Sequence, residues 1–145
     1  MIIRKFASRD TDSVLDVWAQ ANALAHPFLP DDVVAQVAKD MRAIYLPNAE
    51  TWVLEVDDTP MGFIAMIDTE IGGLFVAPSS HGRGYGRALV DHVVAKKGPL
   101  TVEVFAANAS GRPFYERYGF EQIGEDHFGA TGDVVLKLAM PKATD

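Results

Sequence analysis

A chain of 145 residues, 48% of them hydrophobic and 23% charged, suits one domain over residues 1–145 with a single core. Cysteine is absent, which excludes a disulfide framework, a zinc–thiolate site and a cysteine nucleophile. The formal net charge of −7 argues against nucleic acid and against an anionic membrane surface, both of which are bound through basic footprints; it suits a cationic acceptor better. Met1-Ile2-Ile3-Arg4-Lys5-Phe6 lacks the apolar stretch of a signal peptide, and no apolar run nears the ~20 residues that span a bilayer. A cytoplasmic location is the expectation.

Residues 2–6 read as a short strand. Ser8 is placed to cap a helix with Asp10 and Asp12 in its first turn, where the helix dipole favours negative charge. Val14, Val17, Trp18, Ala21 and Leu24 follow at helical spacing and should face the core. The prolines of His26-Pro27-Phe28-Leu29-Pro30 interrupt. A second helix from Asp31 or Asp32 should bury Val34, Val37 and Met41 and end at Leu46-Pro47-Asn48. Residues 51–56 and 61–67 are rich in strand formers, and the intervening Asp57-Asp58-Thr59-Pro60 signals a hairpin.

Residues 74–77 read as a strand stopped by Pro78. A glycine-rich loop follows, then a helix with Leu89, Val90, Val93 and Val94 on one face, closed by Lys96-Lys97-Gly98-Pro99. Residues 100–105 form a strongly β-prone strand, residues 110–118 a helix ending at a left-handed Gly119, and residues 120–123 another strand. In the last strand Val134, Leu136, Leu138 and Met140 alternate with Val135, Lys137 and Ala139, which suits one buried face. Trp18 and Trp52 read as core or pocket wall, His92 and His127 as surface histidines. The order β-α-α-β-β-β-α-β-α-β-β describes an α/β protein, a mixed sheet with helices on both faces.

The loop Ser79-Ser80-His81-Gly82-Arg83-Gly84-Tyr85-Gly86 leads from a strand straight into a helix. Backbone N–H groups at a helix N-terminus form an anion site, and glycines let a phosphate approach without Cβ clashes. A tight turn that needs glycine only for its dihedrals explains the run equally well. A P-loop is excluded, since no Gly-Lys-Ser/Thr triplet occurs. Glu103 lies where a dinucleotide fold has its acidic residue, but the chain has no room for that fold's second half.

His81-Gly82-Arg83-Gly84-Tyr85-Gly86, after the strand Leu74-Phe75-Val76-Ala77-Pro78, resembles the acetyl-CoA motif Arg/Gln-x-x-Gly-x-Gly/Ala of the Gcn5-related N-acetyltransferase (GNAT) superfamily. A second signature follows at the family's distance: a strand, Asn108, then Phe114-Tyr115-Glu116-Arg117-Tyr118-Gly119-Phe120. His-Pro-Phe-Leu resembles a subset of small bacterial members. The resemblance implies the mixed, mostly antiparallel acyl-CoA N-acyltransferase fold, acetyl-CoA as acyl donor and cosubstrate, no metal, and a small amine or peptide as acceptor; it is compatible with a homodimer. It implies that the backbone of Leu74, Phe75 and Val76 meets the pantetheine in a gap between splayed parallel strands. The amides from Gly82 through Arg83, Gly84, Tyr85 and Gly86 to Arg87 should hold the pyrophosphate, with Asn108 and Phe114 beside the pantetheine arm. His81 departs from the usual Arg or Gln.

Transfer to an amine needs a neutral nitrogen, a stabilised oxyanion and a protonated thiol leaving group. N–H groups near Leu74 suit the oxyanion. Tyr115 suits the acid, because a phenol pKa near 10 exceeds that of a thiol near 8.5; packed on its helix, it is otherwise one more core aromatic. Glu70 stands where several superfamily members place a catalytic base, although a related subset carries its acid at the position of Gly72; Glu103 is a further candidate, and water relay competes with both. His26, with Phe28 in the acceptor-side linker, could orient an acceptor, carry a proton or cap a turn before Pro27. No His/Asp/Glu spacing indicates a metal. A non-catalytic acyl-CoA-binding module is the alternative, against which Tyr115 stands.

Overall fold

In the computed structural model, which describes residues 1–141, one seven-stranded sheet runs β1-β2-β3-β4-β5-β7-β6. Its first half is an antiparallel meander of β1 (Ile2–Lys5), β2 (Glu50–Val56), β3 (Thr59–Ile67) and β4 (Glu70–Val76). Asp57 and Asp58, at φ 52° and 64°, form the β2–β3 turn. Two successive left-handed residues match the twist of a two-residue hairpin, and the short polar side chain of aspartate tolerates that region. The second half pairs β5 (Thr101–Phe105), β7 (Val134–Ala139) and β6 (Glu121–His127) antiparallel.

β2 and β3 are apolar almost throughout because both faces of the sheet are covered. On one face α1 (Thr11–Ala25) packs Val14, Val17 and Trp18, and the turn after α2 (Asp31–Asp40) packs Met41, against Val53 and Phe63. Helix α2 continues through a single wide turn, Met41–Tyr45, into the three-residue α3 (Leu46–Asn48). On the other face α4 (Tyr85–Lys97) and α5 (Gly111–Tyr118) pack Leu89, Val90, Val93 and Tyr115 against Trp52, Leu54, Ile64 and Met66. Among the described residues no helix is long and apolar enough to cross a membrane.

The two halves of the sheet meet where β4 and β5 run parallel, and that ladder holds two residue pairs, Glu70↔Thr101 and Ile71↔Val102. Directly after them the β3–β4 register jumps: Met66 faces Ile71 and Ala65 faces Gly73, so Gly72 is the extra residue of a bulge. A bulge bends its strand and sharpens the twist. Gly72 thus turns β4 away from β5, and the two strands part.

Several local expectations are corrected. Ser8 does not cap α1; a 3₁₀ turn (Ser8–Asp10) precedes the helix, and the Asp10 carboxylate accepts from the Ala7 N–H (2.9 Å) while Arg4 clamps it. Leu24 is 63% exposed, because the last turn of α1 overhangs the strand gap instead of the sheet. The second helix does end within Leu46-Pro47-Asn48, at Asn48, but it reaches there through an irregular turn. The wide turn, with the Leu46 N–H on the Met41 carbonyl, lets the helical path continue without a clash from the proline ring. Val34 and Val37 are only half-buried. β4 begins at Glu70 and β6 reaches His127, both longer than expected. Val135 is buried along with Leu136, so β7 is covered on both faces. His92 is half-buried with its ring 5.7 Å from that of Trp52.

Candidate active site

Where β4 and β5 part they leave a cleft of about 470 Å³. Strand β4 contributes Leu74, Phe75 and Val76 to its lining. The glycine loop and first turn of α4 contribute His81, Gly82, Gly84, Tyr85, Gly86 and Arg87. Asn108, Phe114 and Tyr115 come from beyond β5. Of the residues expected around an acyl donor, Arg83 alone is not in the lining; it stands exposed on the same loop.

The three glycines of the loop have different reasons to be there. Gly82 and Gly84 lie at φ +80° and +78°, and a Cβ on either would meet no protein atom within 4 Å. They serve the backbone turn and leave the surface before the helix end open. Gly86 has no such dihedral; its missing Cβ admits Phe114, whose Cε2 would lie 3.3 Å away, so α5 packs closely on α4. The first bond of α4 runs from the Ala88 N–H to the Gly84 carbonyl (3.0 Å). The N–H groups of Tyr85, Gly86 and Arg87 therefore lack intrahelical acceptors and present the positive end of the helix dipole. His81 braces the loop, its Nε2 donating to the Val76 carbonyl at 2.9 Å.

Asn108 is buried and its amide is fully engaged. Oδ1 accepts from the backbone N–H of Ser110 (3.2 Å) and Gly111 (2.8 Å) and from the Ser110 hydroxyl (3.1 Å), which satisfies the start of α5. Nδ2 faces His26 Nε2 at 3.4 Å. Gly111 is the residue that makes this seat, since a Cβ there would lie 2.4 Å from Asn108 Nδ2. Gly111→Ala should therefore destabilise the protein by about 1–3 kcal/mol in urea unfolding, the cost of orphaning buried polar groups, although alanine is the better helix former. A stability equal to or above wild type would mean that Asn108 re-seats freely.

Tyr115 is 6% exposed, and its ring lies edge-on between those of Phe114 (5.2 Å) and Phe120 (5.3 Å). Burial alone pushes its hydroxyl well above the usual phenol range, so it holds its proton at neutral pH. His26, Phe28, Phe75, Phe105 and Phe128 form a chain of edge-to-face rings from the residue after α1, the linker, β4, β5 and the β6–β7 turn. His26 and Phe28 thus adjoin the cleft without lining it.

Glu70 is not brought to the cleft. It opens β4, four residues before Leu74 and so ~13 Å along the strand. It is exposed and shares a separate groove of about 210 Å³ with Thr101, Glu103 and Lys137. Asn22, by contrast, went unnoticed in the sequence: it is 5% exposed and its Oδ1 meets His26 Nδ1 at 2.7 Å. The signal was an asparagine four residues before a histidine, on the otherwise apolar buried face of the helix.

Known proteins share this arrangement. A family model described as an acetyltransferase (GNAT) domain matches residues 47–122, which include the glycine loop and α5. The peptidyl-lysine N-acetyltransferase YiaC of Escherichia coli is 30% identical over 123 residues, covering 84% of this chain and 84% of that protein. The peptidyl-lysine N-acetyltransferase YjaB of Salmonella typhimurium is 28% identical over 131 residues, covering 90% of each. The solution structure of apo YjaB from Escherichia coli superposes with a TM-score of 0.87 at 27% identity, over 99% of this chain and 100% of that one. Likeness of sequence and likeness of fold thus lead to one assignment: the chain belongs to the GNAT family and is an acetyl-CoA-dependent N-acetyltransferase.

Proposed function

We infer that the chain acetylates the side-chain amine of a lysine in a peptide or protein, by direct attack of that amine while acetyl-CoA is bound beside it. The observation that carries this reading is the strand gap itself, with the free amides at the start of α4 along one wall and Tyr115 on another. The names of the relatives supply the acceptor class.

The residues present fit a CoA ester. Gly82 and Gly84 leave open space before the free amides of Tyr85, Gly86 and Arg87, and Arg83 and Arg87 add positive charge to a chain that is acidic overall. A diphosphate suits such a helix end. Past Ile71, β4 has no β5 partner, so its edge amides near Leu74 are available to a carbonyl oxygen. Acetyl-CoA supplies an acetyl group already activated as a thioester. Tyr115 then holds a proton to donate to the departing sulfur, and burial keeps that proton on the phenol at neutral pH until the C–S bond breaks.

Gly84→Val tests the cradle. A valine would both strain the left-handed turn and fill the space before the amides. Acetyl-CoA affinity, measured by calorimetry on the folded variant, should fall by about 1–3 kcal/mol, the scale of lost charge-assisted hydrogen bonds; unchanged affinity would remove the loop from the binding site. The reaction is tested by thiol release with a panel of lysine peptides. Turnover should disappear when the lysine is replaced by arginine or already carries an acetyl group. Turnover with free amines alone, and none with any peptide, would overturn the lysine reading.

A further inference from the structure

His26 follows the last residue of α1, and its ring spans the gap between the parting strands. Its centroid lies 6.5 Å from that of Phe75 on β4 and 4.9 Å from that of Phe105 on β5. The hydrogen bonds around it decide which nitrogen holds the proton. Asn108 cannot turn its amide, because Oδ1 already accepts two backbone N–H groups. Its Nδ2 can only donate, so His26 Nε2, 3.4 Å away, accepts. Asn22 Oδ1 can only accept, so His26 Nδ1, 2.7 Å away, carries the hydrogen.

The ring is therefore neutral, with the Nε2 lone pair turned toward a residue that lines the cleft. The groups facing it are Asn22 from α1, Phe28 from the linker, Phe75 from β4, Phe105 from β5 and Asn108 beyond β5; none of these is charged. Burial lowers its pKa to about 4, in keeping with a site that has no acid to stabilise an imidazolium. Such a base is too weak to strip a free lysine ammonium, whose pKa is near 10.4. The step it suits comes later, when bond formation to carbon makes the nitrogen cationic and its N–H acidic.

Resting on the acetyltransferase reading above, we propose that His26 Nε2 accepts the proton which the acceptor nitrogen loses as its C–N bond forms. The amine arrives neutral and its lone pair makes the C–N bond. One N–H proton passes to Nε2 as the C–S bond breaks with its electron pair going to sulfur. Tyr115 gives its proton to that sulfur, and the imidazolium returns one to the tyrosinate through solvent. Amine and thioester become amide and thiol with no net change in protons. Asn108, its amide fixed by Ser110 and Gly111, holds the Nε2 lone pair through a long 3.4 Å contact until the acceptor N–H displaces it. Asn22 is a positioning residue that fixes the tautomer.

The test has two arms. Long-range ¹H–¹⁵N NMR of the labelled chain without ligand should show His26 neutral from neutral pH down to about pH 5, protonated on Nδ1, and added CoA should move the Nε2 resonance more than Nδ1. A proton on Nε2, or an Nε2 resonance indifferent to saturating CoA, overturns the proposal. In the kinetic arm, with acetyl-CoA and a lysine peptide, His26→Gln should lower kcat by roughly 10²–10⁴-fold with acetyl-CoA affinity kept, and imidazole in solution should restore part of the rate to His26→Ala. Wild-type kcat in His26→Gln, or a loss seen in Glu70→Gln instead, overturns it. Failure of the wild type on every lysine peptide would defeat the acceptor assignment, and the NMR arm would then decide the role of His26.

Discussion

Tyr115→Phe should lower kcat by roughly 10²–10⁴-fold while acetyl-CoA affinity and melting temperature stay near wild type. The ring of residue 115 is held by Phe114 and Phe120 and belongs to the cluster beneath α4, so phenylalanine keeps the packing and deletes only the hydroxyl. The loss corresponds to about 3–5 kcal/mol of transition-state stabilisation, the scale of a single positioned acid. Burial holds the phenol above its usual range, so the wild-type rate should show no falling limb near pH 10 from ionisation of this group. Stopped-flow thiol release across alkaline pH would check both points. A parallel loss of acetyl-CoA binding would mark the hydroxyl as a binding contact instead of a proton donor.

Arg4→Met should destabilise the fold by about 2–4 kcal/mol at neutral pH, as judged by urea unfolding. Arg4 donates from Nη1 and Nη2 to the two oxygens of Asp10 (2.8 and 2.9 Å) and from Nε to Glu55 (2.8 Å), tying β1 to both β2 and the start of α1. The Asp10 side chain is 5% exposed, so removal of the guanidinium strands a buried carboxylate; Arg4 itself is 24% exposed, which places the cost below that of a fully buried pair. The hydrogen bonds from Arg4 hold the Asp10 carboxyl below its ordinary pKa. A depressed folded-state pKa adds stability above the unfolded value, near 3.9, and loses it as pH falls through the folded one. The gap between wild type and variant should therefore be full at neutral pH and close below about pH 4. A gap that stays constant into acid would make Arg4 a packing residue.

Arg4 also shows where the sequence stopped informing. Asp10 reads there as an acid placed for a helix dipole, and nothing near it announces a partner on the first strand. What the sequence did determine was local. Turn chemistry located the Asp57-Asp58 hairpin and the glycine entry to α4, periodicity the covered faces of α1 and α4, and motif spacing the pairing of the loop with Tyr115. These features depend on dihedral preferences and repeat lengths that neighbouring residues carry. The tertiary structure decided the rest. Gly72 lies ahead of the strand expected at residues 74–77, and only the β3–β4 register makes it the bulge beside which β4 leaves β5. Glu70, read as a candidate base, stands at the paired end of that same strand, before the gap opens, and lines another groove. His26 and Asn108 stand 82 residues apart, and only the meeting of α1 with the end of β5 sets a lone pair against an amide. Which side a residue faces, and what it finds there, follows from the pairing of segments remote along the chain, and that pairing is settled by packing the whole sheet.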